Sequence, residues 1–168
     1  SYGYSDKIRL GEYDSDAATQ DRAVSNNPFL NVFEAAGNDG EVSGYGDYGI
    51  IKGPGNSKNI FTIGALNITS SNVAKLSSTG PVNDGRIKPD LCVRGEYINS
   101  TTDKSDSDYA TMSGTSMATP AATGAAALII QQYKRTTGGF DARHDVLKSI
   151  MVNTAVDKEN VGPDYKVG

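Results

Sequence analysis

The sequence is poor in the residues that mark several large classes of protein. It has one cysteine and one histidine in 168 residues, so a disulfide within the chain is impossible and a zinc cluster is implausible. It has no cluster of lysine and arginine, and its net charge of -4 argues against binding nucleic acid or a membrane surface through positive charge. No apolar run is long enough to span a bilayer. These absences leave an acidic globular chain that is long enough for one domain.

Glycine is frequent and shapes the expected scaffold. The 19 glycines lie between apolar runs, which predicts a loop-rich globular protein rather than disorder. Cys92 lies in an apolar stretch, and we interpret it as a buried structural thiol.

Helical and strand patterns alternate along the chain. Helices are predicted over residues 14–27, 115–133 and 141–154. Short apolar runs predict strands over residues 30–36 and 59–65, with an extended segment over residues 87–93. The order of helix, strand, loop and strand indicates an α/β layer with a parallel sheet. Small residues nearly all round the second helix predict that it packs closely on several sides.

The segment around Ser116 has the features of a nucleophilic serine. Ser116 stands between a short apolar lead-in and a predicted helix, at the positive end of the helix dipole. Backbone N–H groups of the first helical turn are unpaired and can face developing negative charge. Gly114 permits a close approach there, and Pro120 is tolerated near a helix start. From the residues alone, an ordinary helix cap remains the commoner role for such a serine.

Four segments resemble the subtilase family of serine peptidases, in the order that the family has them. Residues 114–120, Gly-Thr-Ser-Met-Ala-Thr-Pro, resemble its active-site serine signature. The other three are residues 35–40, similar to its oxyanion-asparagine segment, residues 51–65, similar to its pocket turn and following strand, and residues 77–90, similar to its Ser-Ser-Arg-Gly-Pro and Asp-Gly-Arg-Ile-Lys-Pro-Asp block. The resemblance implies an α/β fold with a subtilisin-like parallel sheet flanked by helices. It also implies that residues 1–168 are the C-terminal part of a catalytic domain that lacks its N-terminal half.

The resemblance also implies a reaction and a set of site residues. The implied enzyme is a secreted serine endopeptidase that forms an acyl-enzyme on Ser116, with Asn38 in the oxyanion hole. The implied substrate-binding residues are Ser1, Tyr2 and Gly3 as a strand that pairs with the peptide, Ala35, Ala36 and Gly37 as pocket walls, and Pro54. These small walls leave room for a large side chain before the scissile bond. The Gly53–Pro54 bond resembles a cis-proline of the family.

The chain lacks an evident base for Ser116. A serine hydroxyl needs a base to become a nucleophile at neutral pH, and in the family the aspartate and the histidine precede the serine. His144 lies downstream in a predicted helix, so we interpret it as a surface or structural histidine. The expected partners are a peptide or protein substrate and the missing N-terminal half of the domain. This chain alone is therefore predicted to be inactive.

Calcium is common in the family, and two places in the chain carry carboxylates that could contribute to a cation site. Asp90 matches a weak cation-site position of the family. Asp103, Asp106 and Asp108 alternate along a loop, but that loop lacks the glycine and the final glutamate of an EF-hand. We interpret the loop as solvated and assign no metal and no cofactor.

Two other functions compete with an endopeptidase. A non-catalytic relative of the family that binds or regulates is the first, although intact Ser116 and Asn38 argue against it. The second is an α/β-hydrolase esterase, which requires Gly-x-Ser-x-Gly and a downstream acid and histidine. Ala118 breaks that motif, and Asp141 and His144 lie too close together on one predicted helix to form an acid–base pair with sensible reach.

Overall fold

A computed structural model describes residues 10–41, 49–70, 72–158 and 160–168. Its helices and strands are, in chain order, α1 (Ser15–Asn26), β1 (Phe33–Ala35), β2 (Phe61–Leu66), β3 (Leu91–Arg94), β4 (Ile98–Thr101), β5 (Tyr109–Met112), α2 (Thr115–Thr136) and α3 (His144–Asn153). A 3-10 turn, Gly53–Asn56, precedes β2. Helices around a parallel sheet confirm the predicted α/β class.

The central sheet is parallel and has the order β1, β2, β3. Phe33 pairs with Phe61 across the first two strands, and Ile63 pairs with Leu91 across the second two. The strand predicted over residues 30–36 is shorter than expected, because its ladder with β2 covers three residues. The extended segment predicted over residues 87–93 becomes a strand only from Leu91.

A second sheet is not predicted from the sequence. Strands β4 and β5 form an antiparallel hairpin, with Ile98 opposite Met112 and Thr101 opposite Tyr109. Most of their side chains are exposed, so the strands carry no alternation of apolar and polar residues that would reveal them. The acidic loop of Asp103, Asp106 and Asp108 connects these two strands.

Helix α2 packs across all three parallel strands through its alanines. Ala118, Ala122 and Ala126 are buried one helical turn apart, and they join a core cluster with Phe61 and Ile63. Side chains this small let the helix axis lie close to the sheet. The prediction of close packing on several sides is wrong for the described residues, because residues 121, 124, 125 and 127 are exposed on α2.

Helix α3 begins later than predicted and completes the core. Leu147 and Met151 of α3 join the cluster under α2. The residues before it form a turn in which Gly138 and Gly139 have φ of +76° and +104°, a region that favours glycine. The helix starts at His144 rather than at residue 141, because Arg143 before it is still extended, with φ of -66° and ψ of 157°.

Two smaller predictions are wrong. The cis peptide bonds of the described residues are Gly80–Pro81 and Lys88–Pro89, and Gly53–Pro54 is trans. Pro54 lies in the first turn of the 3-10 helix, where its missing N–H is tolerated. Cys92 is half-buried rather than buried, and its thiol lies 3.3 Å from the carbonyl oxygen of Lys166.

Candidate active site

Asn38 lies just beyond the carboxyl end of β1, on a turn that brings it to the start of α2. The preceding Gly37 has a φ of +111°, a left-handed conformation that a side chain would strain. The Gly37 N–H donates to Oγ1 of Thr115 at 3.2 Å. This contact joins the end of a central strand to a helix that begins 78 residues later.

Thr115 orients the side-chain amide of Asn38. Oδ1 of Asn38 accepts hydrogen bonds from the Thr115 backbone N–H at 2.8 Å and from its hydroxyl at 2.9 Å. Thr115 itself is fully buried, whereas Asn38 is exposed. Because the oxygen is occupied on the protein side, the Nδ2 donor is the part of the amide left to face a ligand.

Ser116 is the second residue of α2 and is exposed. No described residue hydrogen-bonds its hydroxyl, and none accepts from its backbone N–H. An unpaired N–H is expected in the first turn of a helix, where the dipole also favours negative charge. The serine therefore offers a hydroxyl and a backbone donor at the same place.

The predicted site residues that the structure describes meet around one cavity. This cavity, the Ser116 pocket, has a volume of about 210 Å³. Six of the residues named from the sequence line it: Ala35, Ala36, Gly37, Asn38, Pro54 and Ser116. Thr115, Asp39, Lys52 and Glu34 line it as well. Ser1, Tyr2 and Gly3 lie outside the described residues.

A second cavity also reaches Ser116. It has a volume of about 420 Å³, and its lining includes Phe33, Thr119, Pro120 and Thr123. Glu34 lines this cavity as well as the Ser116 pocket. Burial raises the pKa of the Glu34 carboxyl above its ordinary value. Ser116 is thus reached by open space from both cavities.

His144 contacts the loop between α1 and β1 and lines neither of the two cavities at Ser116. Its backbone N–H donates to the carbonyl oxygen of Pro28 at 2.8 Å, and its ring Nδ1 lies 3.1 Å from the same oxygen. Asp141 forms an ion pair with Lys134 at 2.8 Å. These contacts separate the histidine from the aspartate, so the pairing that an esterase would need is absent among the described residues.

Asp90, the carboxylate matched to a cation site, is engaged by two lysines. Its oxygens accept from Lys88 Nζ at 2.6 Å, from Lys148 Nζ at 2.8 Å and from the Thr62 N–H at 2.7 Å. Ammonium groups therefore stand where a metal would have to bind. In the described part of the chain, no group of three or more histidine, cysteine, aspartate or glutamate side chains is arranged to hold a metal ion.

Sequence reasoning misses four residues that line this site, namely Glu34, Asp39, Lys52 and Thr115. In the sequence Thr115 is only part of a signature, and its role in holding Asn38 depends on a contact across 77 residues. Asp39 and Lys52 form an ion pair of 2.9 Å on the pocket wall. Both stand close to predicted site residues along the chain, but nothing in the sequence pairs them.

Comparisons with known proteins agree on one family. A model of the subtilase family matches residues 1–168. Serine protease AprX of Bacillus subtilis (strain 168) is 40% identical over an alignment 159 residues long, and the match covers 79% of this chain and 35% of that protein. Serine protease/ABC transporter B family protein tagB of Dictyostelium discoideum is 36% identical over an alignment 125 residues long, and the match covers 60% of this chain and 6% of that protein. The chain thus spans about a third of the first relative and less of the second.

Solved structures show the same likeness in the fold. Sphericase has 27% sequence identity and a TM-score of 0.67, over 90% of this chain and 50% of that one. The prenylagaramide maturation protease PagA has 20% identity and a TM-score of 0.72, over 94% of this chain and 51% of that one. At this lower identity, the second likeness shows the fold alone.

Proposed function

Because this chain belongs to the subtilase family, we propose that it carries the nucleophile and the oxyanion hole of a serine endopeptidase. Ser116 attacks the carbonyl carbon of a peptide bond and forms an acyl-enzyme, which water then hydrolyses. Asn38 Nδ2 and the Ser116 backbone N–H donate to the oxygen that gains negative charge. The observation that supports this most is the pair of hydrogen bonds from Thr115, which hold the Asn38 oxygen. They leave its amide donor to the pocket that Ser116 also lines.

We propose that the base for Ser116 comes from outside the described residues. The only histidine of the sequence, His144, is bonded to Pro28 and lines neither cavity at Ser116. We propose that a histidine and an aspartate in an upstream half of the same catalytic domain supply the base and orient it. The larger cavity beside Ser116 offers room for that histidine ring. In this proposal residues 1–168 form the C-terminal part of the domain and do not hydrolyse peptides alone.

The proposed substrate class rests on membership of the subtilase family. The substrate is a peptide or a protein, and secretion stays an expectation from the resemblance. Among the described residues, no helix has both the length and the apolar character needed to cross a membrane.

Covalent labelling of Ser116 tests this function. A fluorophosphonate reacts rapidly with a serine only where a base activates the hydroxyl. We expect rapid labelling of the full-length protein, loss of labelling in Ser116→Ala, and no rapid labelling of this chain alone. The label should be located by peptide mass spectrometry.

The three possible results below test different statements of the proposal. Labelling and peptide hydrolysis that persist in full-length Ser116→Ala would exclude Ser116 as the nucleophile. Absence of both in the wild-type full-length protein would instead favour a non-catalytic relative that binds or regulates. Rapid labelling of residues 1–168 alone would show that the base lies within this chain.

A further inference from the structure

The wall of the Ser116 pocket carries an ion pair between two separate segments. Lys52 Nζ lies 2.9 Å from Oδ2 of Asp39, and the two side chains are 19% and 29% exposed. Asp39 follows Asn38 directly, and Lys52 stands just before the 3-10 turn. The other walls include small and apolar residues such as Ala35 and Ala36. A substrate side chain that enters this pocket therefore meets a charged pair among small neighbours.

Asp39 is restrained by a backbone hydrogen bond, and its carboxylate can accept a hydrogen bond from a second donor. Its backbone N–H donates to Oγ of Ser78 at 3.2 Å, which restrains the residue. Its Oδ2 receives Lys52, and no described residue donates to its Oδ1. A carboxylate has about four acceptor positions on its two oxygens. Asp39 can thus accept a hydrogen bond from a cationic group of a ligand while its ion pair with Lys52 stays intact.

The same molecule shows that a carboxylate can serve two ammonium groups. Asp90 accepts from Lys88 on one oxygen and from Lys148 on the other, at 2.6 and 2.8 Å. Each of the two ammonium groups contacts a different oxygen of the Asp90 carboxylate. A second cation at Asp39 would repeat that arrangement.

Other substrate side chains fit the pair less well. An apolar side chain would cover two charged groups without forming a hydrogen bond, which costs desolvation energy. An acidic side chain would compete with Asp39 for Lys52. Among the lining residues that the structure describes, it would also meet two carboxyl groups, Glu34 and Asp39, against one ammonium. A basic side chain has the long apolar stem for the small walls and a cationic end for Asp39.

We propose that the Ser116 pocket takes a lysine or arginine side chain, whose cationic end hydrogen-bonds Asp39 beside Lys52. This inference rests on the proposed function and narrows it to peptides with a basic residue before the scissile bond. The small pocket walls predicted a large substrate side chain before the scissile bond, and this proposal specifies that the side chain is also basic.

Substitution of each partner of the ion pair tests this preference. The full-length protein is assayed on four peptides that differ only before the scissile bond, with lysine, methionine, glutamine or glutamate there. We expect the highest kcat/KM for lysine. Asp39→Asn should lower the ratio of lysine to methionine about tenfold, the size of a lost charged hydrogen bond. Lys52→Met should raise that ratio about threefold, because a repelling cation is gone.

If the two substitutions shift the lysine-to-methionine ratio of kcat/KM in opposite directions, the ion pair recognises the substrate side chain rather than only stabilising the pocket walls. If the pair only joins the two walls, both substitutions should lower kcat/KM for all four peptides alike, and that result would overturn the proposal. Equal cleavage of the lysine and methionine peptides by the wild type would overturn it as well. Lys134→Met is the matched control, since it breaks an exposed ion pair with Asp141 away from the pocket. It should leave every ratio unchanged.

Peptide binding separates this inference from the proposed function. Ser116→Ala full-length protein is titrated by calorimetry with the lysine and the methionine peptide. Tighter binding of the lysine peptide, abolished by adding Asp39→Asn, supports the basic pocket even if Ser116 proves not to be the nucleophile. Hydrolysis that depends on Ser116 together with equal binding of both peptides would overturn the basic pocket alone.

Discussion

The residues of the site depend on one another through short, specific contacts. Asn38 is exposed, and a free asparagine side chain would rotate among several rotamers. Two hydrogen bonds from the buried Thr115 select one orientation before any ligand arrives. Preorganised donors of this kind stabilise charge that develops in a transition state without reorganisation at that moment. Thr115 thus acts through Asn38, as a positioning residue.

Thr115→Val tests this positioning. Valine keeps the shape of threonine but loses the hydroxyl that donates to Asn38 Oδ1 at 2.9 Å and accepts from the Gly37 N–H at 3.2 Å. We expect kcat of the full-length protein to fall about fivefold with KM little changed, because one hydrogen bond is worth about 1 kcal/mol. Steady-state kinetics on one peptide measures both parameters.

Thr115→Ser provides the control for this substitution. Serine restores the hydroxyl without the methyl group, so kcat should recover most of the loss. An equal loss of kcat in the serine and valine variants would show that packing of Thr115, rather than its hydroxyl, matters. A rise in KM alone would assign the residue to substrate binding.

At the level of elements, a buried carboxylate holds α1 to the entry of β2. Asp21 is 6% exposed. It accepts from the backbone N–H groups of Lys58 and Asn59, at 3.0 and 2.8 Å, and from the Tyr13 hydroxyl at 2.8 Å. Because β2 lies between β1 and β3, these bonds help to fix a helix against the segment that feeds the central strand. The hydrogen bond from Tyr13 to Asp21 also raises the pKa of the Tyr13 hydroxyl.

Asp21→Asn should loosen this attachment. Asparagine keeps one acceptor oxygen and replaces the other with an NH2 group, so either the Tyr13 hydroxyl or a backbone N–H loses its charged acceptor. We expect the free energy of unfolding to fall by about 1–3 kcal/mol, measured by urea denaturation. Asp141→Asn, which breaks an ion pair whose side chains are 52% and 54% exposed, should change it by less than about 1 kcal/mol. Equal effects of the two substitutions would contradict a special role for Asp21.

On the scale of the whole molecule, one buried charge cluster joins the sheet to α3. Lys88 is 2% exposed, and its Nζ donates to Thr62 Oγ1 at 2.9 Å and to Asp90 at 2.6 Å. Lys148 of α3 binds the other oxygen of Asp90. Burial lowers the pKa of Lys88 to about 8, although the charge of Asp90 opposes the shift.

This lowered pKa predicts a pH dependence with a definite sign. The folded protein releases the Lys88 proton near pH 8, whereas the unfolded chain keeps it to about pH 10.5. Between these values the unfolded state binds more protons, so the contribution of Lys88 to stability rises with pH. Urea unfolding at pH 7, 8, 9 and 10 should show the free energy of unfolding rising relative to Lys88→Met. A flat or falling difference would show that Lys88 keeps its proton in the folded protein.

Features that depend on the local order of residues can be predicted from the sequence. Helix α1 is predicted within a residue at each end, because a capping aspartate and a following proline mark it. The signature around Ser116 and the segment around Asn38 identify the family and the pocket walls, since their residue types have to stand together along the chain. The hairpin of β4 and β5 stays hidden, because its exposed strands have no apolar period.

Contacts between side chains from distant segments become visible only in the folded chain. The tertiary structure paired Asn38 with Thr115, joined Asp39 to Lys52, gave Asp90 two lysines and turned His144 towards Pro28. It also made Gly53–Pro54 trans and exposed one face of α2. The physical reason is that these contacts arise where loops from distant segments converge at the sheet. Their geometry depends on strand register and packing, which no local pattern of residues encodes.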